Sequence, residues 1–372
     1  MSEIIVTETN NNPTFTRVEM DLMDDNNVRV CTGGMRTIYT RYGDDYVKTM
    51  CMGSVATPLE YRRRGHVRTI FDKAYELALE EGVVVSFLHP FSFSYYRMFG
   101  YGKVADHIIA RCPIRLIDFV PRCCDFVKFT GTDAQLADLL AVYNEFTKGR
   151  LMMMRRGEAS YFVQHNKEIY IHYDENGKAD GYIAFKAEKT LKVNHYEDGL
   201  MTVHELAYTS PSALRALFGF IRMYEGELDD VEFANISVCP EVERSLRHYT
   251  HTRYRILPDI QGRVMNTEAM LKAHKYPLQE GAFRVRVIDT LPTVAGSYLV
   301  EYGGGDCRVT RLEENAAVDM TVDECEFIRL IYGYDAINAE QAKYTEGIEI
   351  TGNADDFFRA FPKMVAGMYE HF

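Results

Sequence analysis

The sequence predicts a mixed α/β (α+β) chain made of three consecutive units. Three observations predict it. A strand-like run at 46–57 passes through a basic turn into an amphipathic helix and then a continuous apolar strand, which is one βαβ unit. Near residue 125 the same order of elements restarts. From about residue 283 a third set of alternating strands leads into helices. The expected units are 1–124, 125–272 and 273–372, and 372 residues are enough for two or three domains.

The elements follow in order. Residues 1–12 are polar and are expected to fray. Strands are expected at 15–22, 28–42 and 46–57, separated by Asp24-Asp25-Asn26-Asn27 and Gly43-Asp44-Asp45 as hairpin turns. Residues 64–81 read as a helix, with Val67, Ile70, Phe71, Ala74, Leu77 and Ala78 on one face and Gly82 as its stop. Residues 83–88 fit a buried parallel strand, 91–97 a short helix and 106–113 a strand. In the second unit, helices are expected at 134–146 and 159–164, with a hairpin at 168–173 and 181–187 across Asp174-Glu175-Asn176-Gly177. A strand at 200–208 leads to a helix at 212–224 opened by a Ser/Pro start. In the third unit, strands are expected at 283–289, 296–302 and 307–312, then helices at 322–332, 354–361 and 363–369.

Composition narrows the function. Apolar residues make up 47% and charged residues 26%, as in ordinary globular protein. The net charge of −12 argues against nucleic acid as partner and is compatible with a cationic substrate. No secretory signal and no apolar run long enough to span a membrane is visible. The eight cysteines are scattered without a C-x-x-C pair, which reads as reduced thiols of a cytoplasmic protein. His248 and His251 lack a third ligand nearby, so no metal is expected.

The stretch Ser54 to Phe71, SVATPLEYRRRGHVRTIF, carries the strongest chemical signal. A strand ends, the backbone turns, and a helix N-terminus with its positive dipole end faces the same spot. Gly65 allows close backbone approach, and Arg62, Arg63 and Arg64 supply charge and forked donors. A pyrophosphate suits such a cradle. Arg64-Gly65-His66 lacks the Gly-Lys-Ser/Thr end of nucleotide-hydrolase loops, and the single Gly65 does not make a dinucleotide fingerprint. Arg62-x-x-Gly65-x-Val67 resembles instead the Arg/Gln-x-x-Gly-x-Gly/Ala pattern of GCN5-related N-acetyltransferases, with Val67 in place of the usual small residue.

Just after the apolar strand comes HPFSFSYYRMFGYG, from His89 to Gly102. Ligands of open α/β sheets bind at the carboxyl ends of strands, so this segment and the basic loop are expected to share one crevice. Tyr95, Tyr96 and Tyr101 are candidate proton donors to a leaving thiolate. Phe99 and Tyr101 are expected in the core, with one of Tyr95 or Tyr96 facing the cleft.

VATPLEYRRRG followed about thirty residues later by YYRMFGYG is similar to the enhanced intracellular survival (Eis) family of acetyltransferases. That resemblance implies two GCN5-like (GNAT) domains, the first alone binding acetyl-CoA, and a third domain like sterol carrier protein. The turn Thr209 to Leu214, TSPSAL, which has neither arginine nor glycine, fits a second copy without its cradle. By the resemblance, the tyrosine three residues before FGYG, Tyr96, is the proton donor. The proton acceptor is the terminal carboxylate on Phe372. Val55, Ala56 and Thr57 would pair with the pantetheine arm. Arg63, Arg64, Gly65, His66, Val67 and Arg68 would hold the pyrophosphate, and Phe91 with Ser92 would lie further along the arm. Cationic amines, aminoglycosides or lysine side chains, are the implied acceptors, and a homo-oligomer, a hexamer, the implied assembly. The segment before Val55 is shorter than the family's and reads as hairpins where the family has two helices. The expected function is therefore acetyl-CoA-dependent N-acetylation of a primary amine. The alternative is a non-catalytic CoA- or lipid-binding or scaffold protein.

Overall fold

The computed structural model describes residues 3–12, 15–158, 161–162, 167–191 and 197–371. The first unit opens with four antiparallel strands: β1 (Glu3–Asn12), β2 (Phe15–Met23), β3 (Arg29–Tyr42) and β4 (Asp45–Ala56). The Asp24 carboxylate accepts from the amides of Asn26 and Val28 and so closes the β2–β3 turn. Helix α1 (His66–Glu80) crosses to β5 (Val85–Leu88), which pairs parallel to β4. Then come α2 (Phe93–Arg97) and β6 (Gly102–Pro113). Residues 3–12, expected to fray, form the edge strand β1 on β2. Ladder pairing along β2 holds the backbone although its sequence is polar.

The second unit repeats this plan. It contains β7 (Phe126–Lys128), α3 (Asp133–Phe146), β8 (Arg150–Leu151), β9 (Glu168–Tyr173), β10 (Ala179–Leu191) and β11 (Glu197–Tyr208). Helix α4 (Pro211–Arg222) then crosses to β12 (Asp230–Phe233), which is parallel to β11. The helix expected at 159–164 lies for the most part outside the described residues. After α5 (Pro240–Ser245), strand β13 (Arg253–Val264) returns to the first unit and inserts between β5 and β6, antiparallel to both. Strand β6 also pairs with β12. Both units therefore share one twelve-stranded sheet, ordered β1-β2-β3-β4-β5-β13-β6-β12-β11-β10-β9-β7.

Helix α6 (Thr267–Ala273) leads to the third unit: β14 (Gly281–Ile288), β15 (Gly296–Gly303), β16 (Asp306–Leu312), β17 (Met320–Asp323), α7 (Glu324–Ile331), α8 (Ala339–Ala342), β18 (Ile348–Ile350) and α9 (Asp355–Ala360). Its sheet runs β16-β15-β14-β17-β18. Helix α7 lies against β6, so closely that a Cβ on Gly102 would sit 1.9 Å from the Cys325 carbonyl oxygen. Arg97 pairs with Asp323 and Glu326 across the same junction. The stretch 363–369 is not the helix its apolar spacing suggests. It is extended, and β19 (Val365–Ala366) pairs parallel with β8 of the second unit. Pro362 and Gly367 disfavour a helix there, and the β8 edge offers the backbone its hydrogen bonds.

Candidate active site

The site begins where β4 outruns β5. Their parallel register ends at Cys51↔Phe87, and β5 stops at Leu88, while β4 continues to Ala56. On the β3 side, Thr32 faces Ala56 and Gly34 faces Gly53, so Ser54 and Val55 together oppose Gly33. This is a β-bulge, and Ser54 has φ 53°. It turns the end of β4 toward the crevice. Gly33 is required because a Cβ there would come 2.5 Å from Ile70 Cγ2 of α1. The buried Cys31 thiol lies 3.2 Å from the Thr57 hydroxyl and anchors the strand end.

The chain then makes one 3-10 turn at Leu59–Tyr61 and enters the basic loop. Arg63 and Gly65 both take the left-handed conformation, with φ 61° and 83°. The Arg62 guanidinium donates from Nε to the Thr57 carbonyl, 3.1 Å away, and clips the loop closed. Helix α1 starts at His66, and no side chain caps its N-terminus. Its first amides are therefore left for a ligand. A Cβ on Gly65 would meet nothing within 4 Å, so that face of the loop is open. Arg63 and Arg64 are exposed, and neither has an acidic partner among the described residues. These features fit a diphosphate.

The opposite wall comes from α2 and the residues on either side of it. Ser92 caps this helix by accepting from the Tyr95 amide. Arg68 donates to the Met98 carbonyl at 2.5 Å and lies over the Phe99 ring at 4.5 Å, tying α1 to this wall. Together the two walls enclose a cavity of about 790 Å³. Val55, Ala56, Thr57, Arg63, Arg64, Gly65, His66, Val67, Arg68, Phe91 and Tyr96 all line it. Ser92 does not; its hydroxyl is turned to the helix cap. Tyr61, Tyr95, Met98 and Phe99 line it as well.

Tyr96 is buried in an aromatic nest of Phe71, Phe91, Tyr95, Phe99 and Tyr101. Burial, and then the neighbouring Tyr95, push its phenol pKa up. It is thus a phenol, not a phenolate, at neutral pH. Its hydroxyl makes no hydrogen bond among the described residues. Both Tyr95 and Tyr96 face the cavity, where only one was expected. Tyr101 is fully buried, shares a 2.6 Å hydrogen bond with Ser86, and has a pKa pushed up to about 12 by burial. It belongs to the core, as does Phe99, which also lines the cavity.

A second cluster lies beyond the end of β5, and sequence reading missed it. His89 Nδ1 is 3.0 Å from Asp259 Oδ1, and His107 Nδ1 is 3.8 Å from Oδ2. The Asp259 carboxylate beside it raises the His107 pKa. Burial works against the Asp259 charge, but His107 and His89 outweigh it and hold the carboxyl well below the usual range. The three residues come from β5's end, β6 and β13, so only the insertion of β13 brings them together. The described part of the C-terminal segment reaches this cluster. The His371 ring is 5.1 Å from that of His89 and 6.4 Å from that of His107. Phe372 lies outside the described residues.

The acetyltransferase (GNAT) domain family matches residues 11–104, and a second GNAT domain family matches residues 152–264. Together these matches span more than half of the sequence. The chain belongs to the GNAT acetyltransferases. Its tandem GNAT fold implies acetyl-CoA as co-substrate. No curated protein matches the sequence. Solved structures match this acetyltransferase over nearly its whole length. Eis1 from Mycobacterium abscessus aligns with TM-score 0.75 at 16% identity, covering 95% of this chain and 91% of Eis1. A GCN5-related N-acetyltransferase from Anabaena variabilis aligns with TM-score 0.77 at 18% identity, over 95% and 89% of the two chains. One from Kribbella flavida gives 0.76 at 18% identity, over 96% and 87%. At such identities the likeness is one of fold, and the fold is that of Eis-like acetyltransferases. No helix among the described residues is long and apolar enough to cross a membrane.

Proposed function

We propose that this GNAT protein transfers the acetyl group of acetyl-CoA to a primary amine of a cationic acceptor. The carrying observation is the shared cavity: eleven of the thirteen residues that the family resemblance nominated line one crevice, at the uncapped N-terminus of α1. In this reading the α1 amides with Arg63, Arg64 and Arg68 hold the pyrophosphate. The backbone of Val55, Ala56 and Thr57 lies along the pantetheine arm, beside Phe91. Amide donors at the end of β4 stabilise the charge that develops on the thioester oxygen as the amine attacks. The Phe372 carboxylate takes the amine proton. Tyr96 gives its proton to the departing sulfur. Its raised pKa keeps that proton available and requires transfer to accompany C–S cleavage, because a free thiolate is a weaker base than a phenolate. The acidic balance of the chain, −12, favours cationic acceptors such as aminoglycosides or lysine side chains. The boundaries near residues 124 and 272, and a sterol-carrier-like character for the third unit, belong to the same reading.

Tyr96→Phe and deletion of Phe372 test it. Each is expected to lower kcat by about a hundredfold or more while acetyl-CoA still raises the melting temperature. Full turnover in either variant overturns the assigned role. Absence of any thermal shift by saturating acetyl-CoA in the parent protein overturns the enzyme reading.

A further inference from the structure

The second unit has the GNAT plan with a capped helix start at α4, and the C-terminal segment is fastened to it residue by residue. Val365 and Ala366 pair with Arg150 and Leu151. The Gly367 amide donates to the Leu151 carbonyl at 3.2 Å, and a Cβ on Gly367 would come 2.7 Å from Val238 Cγ1. Asn235 Nδ2 donates to the Met368 carbonyl at 3.3 Å, and the Tyr369 hydroxyl to the Leu206 carbonyl at 2.9 Å. Arg156 Nε donates to Glu370 Oε1 at 2.7 Å. All of these partners lie in the second unit. One residue later, His371 is beside His89 of the first unit. The tail thus crosses from one unit to the other between Glu370 and His371.

Arg156 is built for this task. Its side chain is 1% exposed, and two of its nitrogens hold Glu205 at 2.6 and 3.0 Å. The Tyr143 ring lies 4.1 Å from its guanidinium carbon, and Tyr182 donates to Glu205. Only Nε is left, and it points at Glu370. Burial opposes the Arg156 charge, but Glu205 and Glu370 hold it firmly protonated. The second Glu370 oxygen, Oε2, is buried without a hydrogen-bond partner among the described residues. Arg156 is therefore what holds that carboxylate. The segment carrying Arg156 is itself registered on β3: the Arg41 amide donates to Met153, the Met152 amide to Arg41, and the Arg155 amide to Tyr39.

We propose that the second unit is the seat of the C-terminal tail, with Arg156 and Glu370 as positioning residues that deliver His371 to His89 and His107 of the first unit. Its catalytic consequence rests on the reading of the Phe372 carboxylate as proton acceptor; the seat itself does not. The experiment uses the full-length protein and Glu370→Ala, with Arg156→Lys as a second variant that keeps the charge and loses the fork. Release of Phe372 and His371 by a carboxypeptidase is followed alongside kcat and the KM for acetyl-CoA. Removing a charge-assisted hydrogen bond is expected to speed release by about tenfold or more. The kcat is expected to fall while the KM for acetyl-CoA stays within about twofold. Combining Glu370→Ala with deletion of Phe372 is expected to cost no more than the deletion alone. Parent-like release from Glu370→Ala overturns the seat and leaves the proposed reaction standing. Faster release with unchanged kcat supports the seat and overturns the Phe372 role.

Discussion

Gly65 and Gly82 bracket α1 and together separate backbone strain from ligand contact. Both have positive φ, 83° and 74°, and at both an added Cβ meets nothing within 4 Å. Alanine at either position is therefore expected to cost only the left-handed strain, about 1 kcal/mol. The positions differ in what surrounds them. Gly65 lines the cavity at the uncapped end of the helix. Gly82 is at the far end, about 22 Å away along a fifteen-residue helix. Acetyl-CoA at a hundred times its Kd stabilises the native state by about 2.7 kcal/mol. A methyl at Gly65 projects into the open face of the cradle and is expected to weaken binding about tenfold, which leaves roughly 1.4 kcal/mol. Thermal unfolding with and without acetyl-CoA reads both quantities. Each variant without ligand should melt lower by about 2–4 °C. Only Gly65→Ala should lose about half of the ligand-induced stabilisation. Retention of the full ligand effect in Gly65→Ala refutes the assignment of this loop as the pyrophosphate cradle.

Other consequences test the surrounding structure. Gly102→Ala forces a Cβ against the backbone of Cys325 and is expected to cost about 3 kcal/mol, read by chemical denaturation, with acetyl-CoA affinity unchanged. Ser210→Ala removes the hydroxyl that accepts from the Ala213 amide at the start of α4. It should cost about 1 kcal/mol and leave the KM for acetyl-CoA alone. His274 donates from Nε2 to the Ala360 carbonyl, and burial lowers its pKa to about 4. The unfolded chain takes up this proton near pH 6.5 and the folded chain only near pH 4. Stability is therefore full above about pH 6.5 and falls as pH drops toward 4, by about 3 kcal/mol in all. His274→Gln should flatten that acid limb in urea titrations between pH 7 and 4.

The site was legible where its signal is local, and silent where it depends on distant pairing. The basic loop, the start of α1 and the tyrosines of α2 sit within fifty residues of one another, on one βαβ unit whose periodicities are plain. The hairpin turns were legible for the same reason. The Asp259 cluster was not, because it exists only once β13 has inserted between β5 and β6, and nothing within Arg253–Val264 marks that destination. Arg156 and Glu205 carry one faint signal, a charge amid apolar neighbours, which is ambiguous until a partner is known. The tail misled because Met364 and Met368 are four apart, a helical spacing, while the decisive contact is with β8, more than two hundred residues earlier. Ser92 misled differently: its position is near the cavity, but a helix N-terminus needs an acceptor, and the hydroxyl satisfies it.

The two GNAT units show how little sequence separates a cradle from a closed helix end. In each, a strand runs through a turn into a helix that crosses to a parallel strand. At α4 the turn supplies Ser210, whose side chain satisfies an amide of the first turn, and Pro211, which has no amide to offer. At α1 the turn supplies Arg63 and Gly65 in left-handed conformations and no capping side chain. The amides that one unit neutralises internally, the other presents to a cavity lined with arginines. Of these two helix starts, the one at α1 leaves its first amides open and the one at α4 does not. The surface of the second unit is then free for another use, and the tail occupies it from Val365 to Glu370.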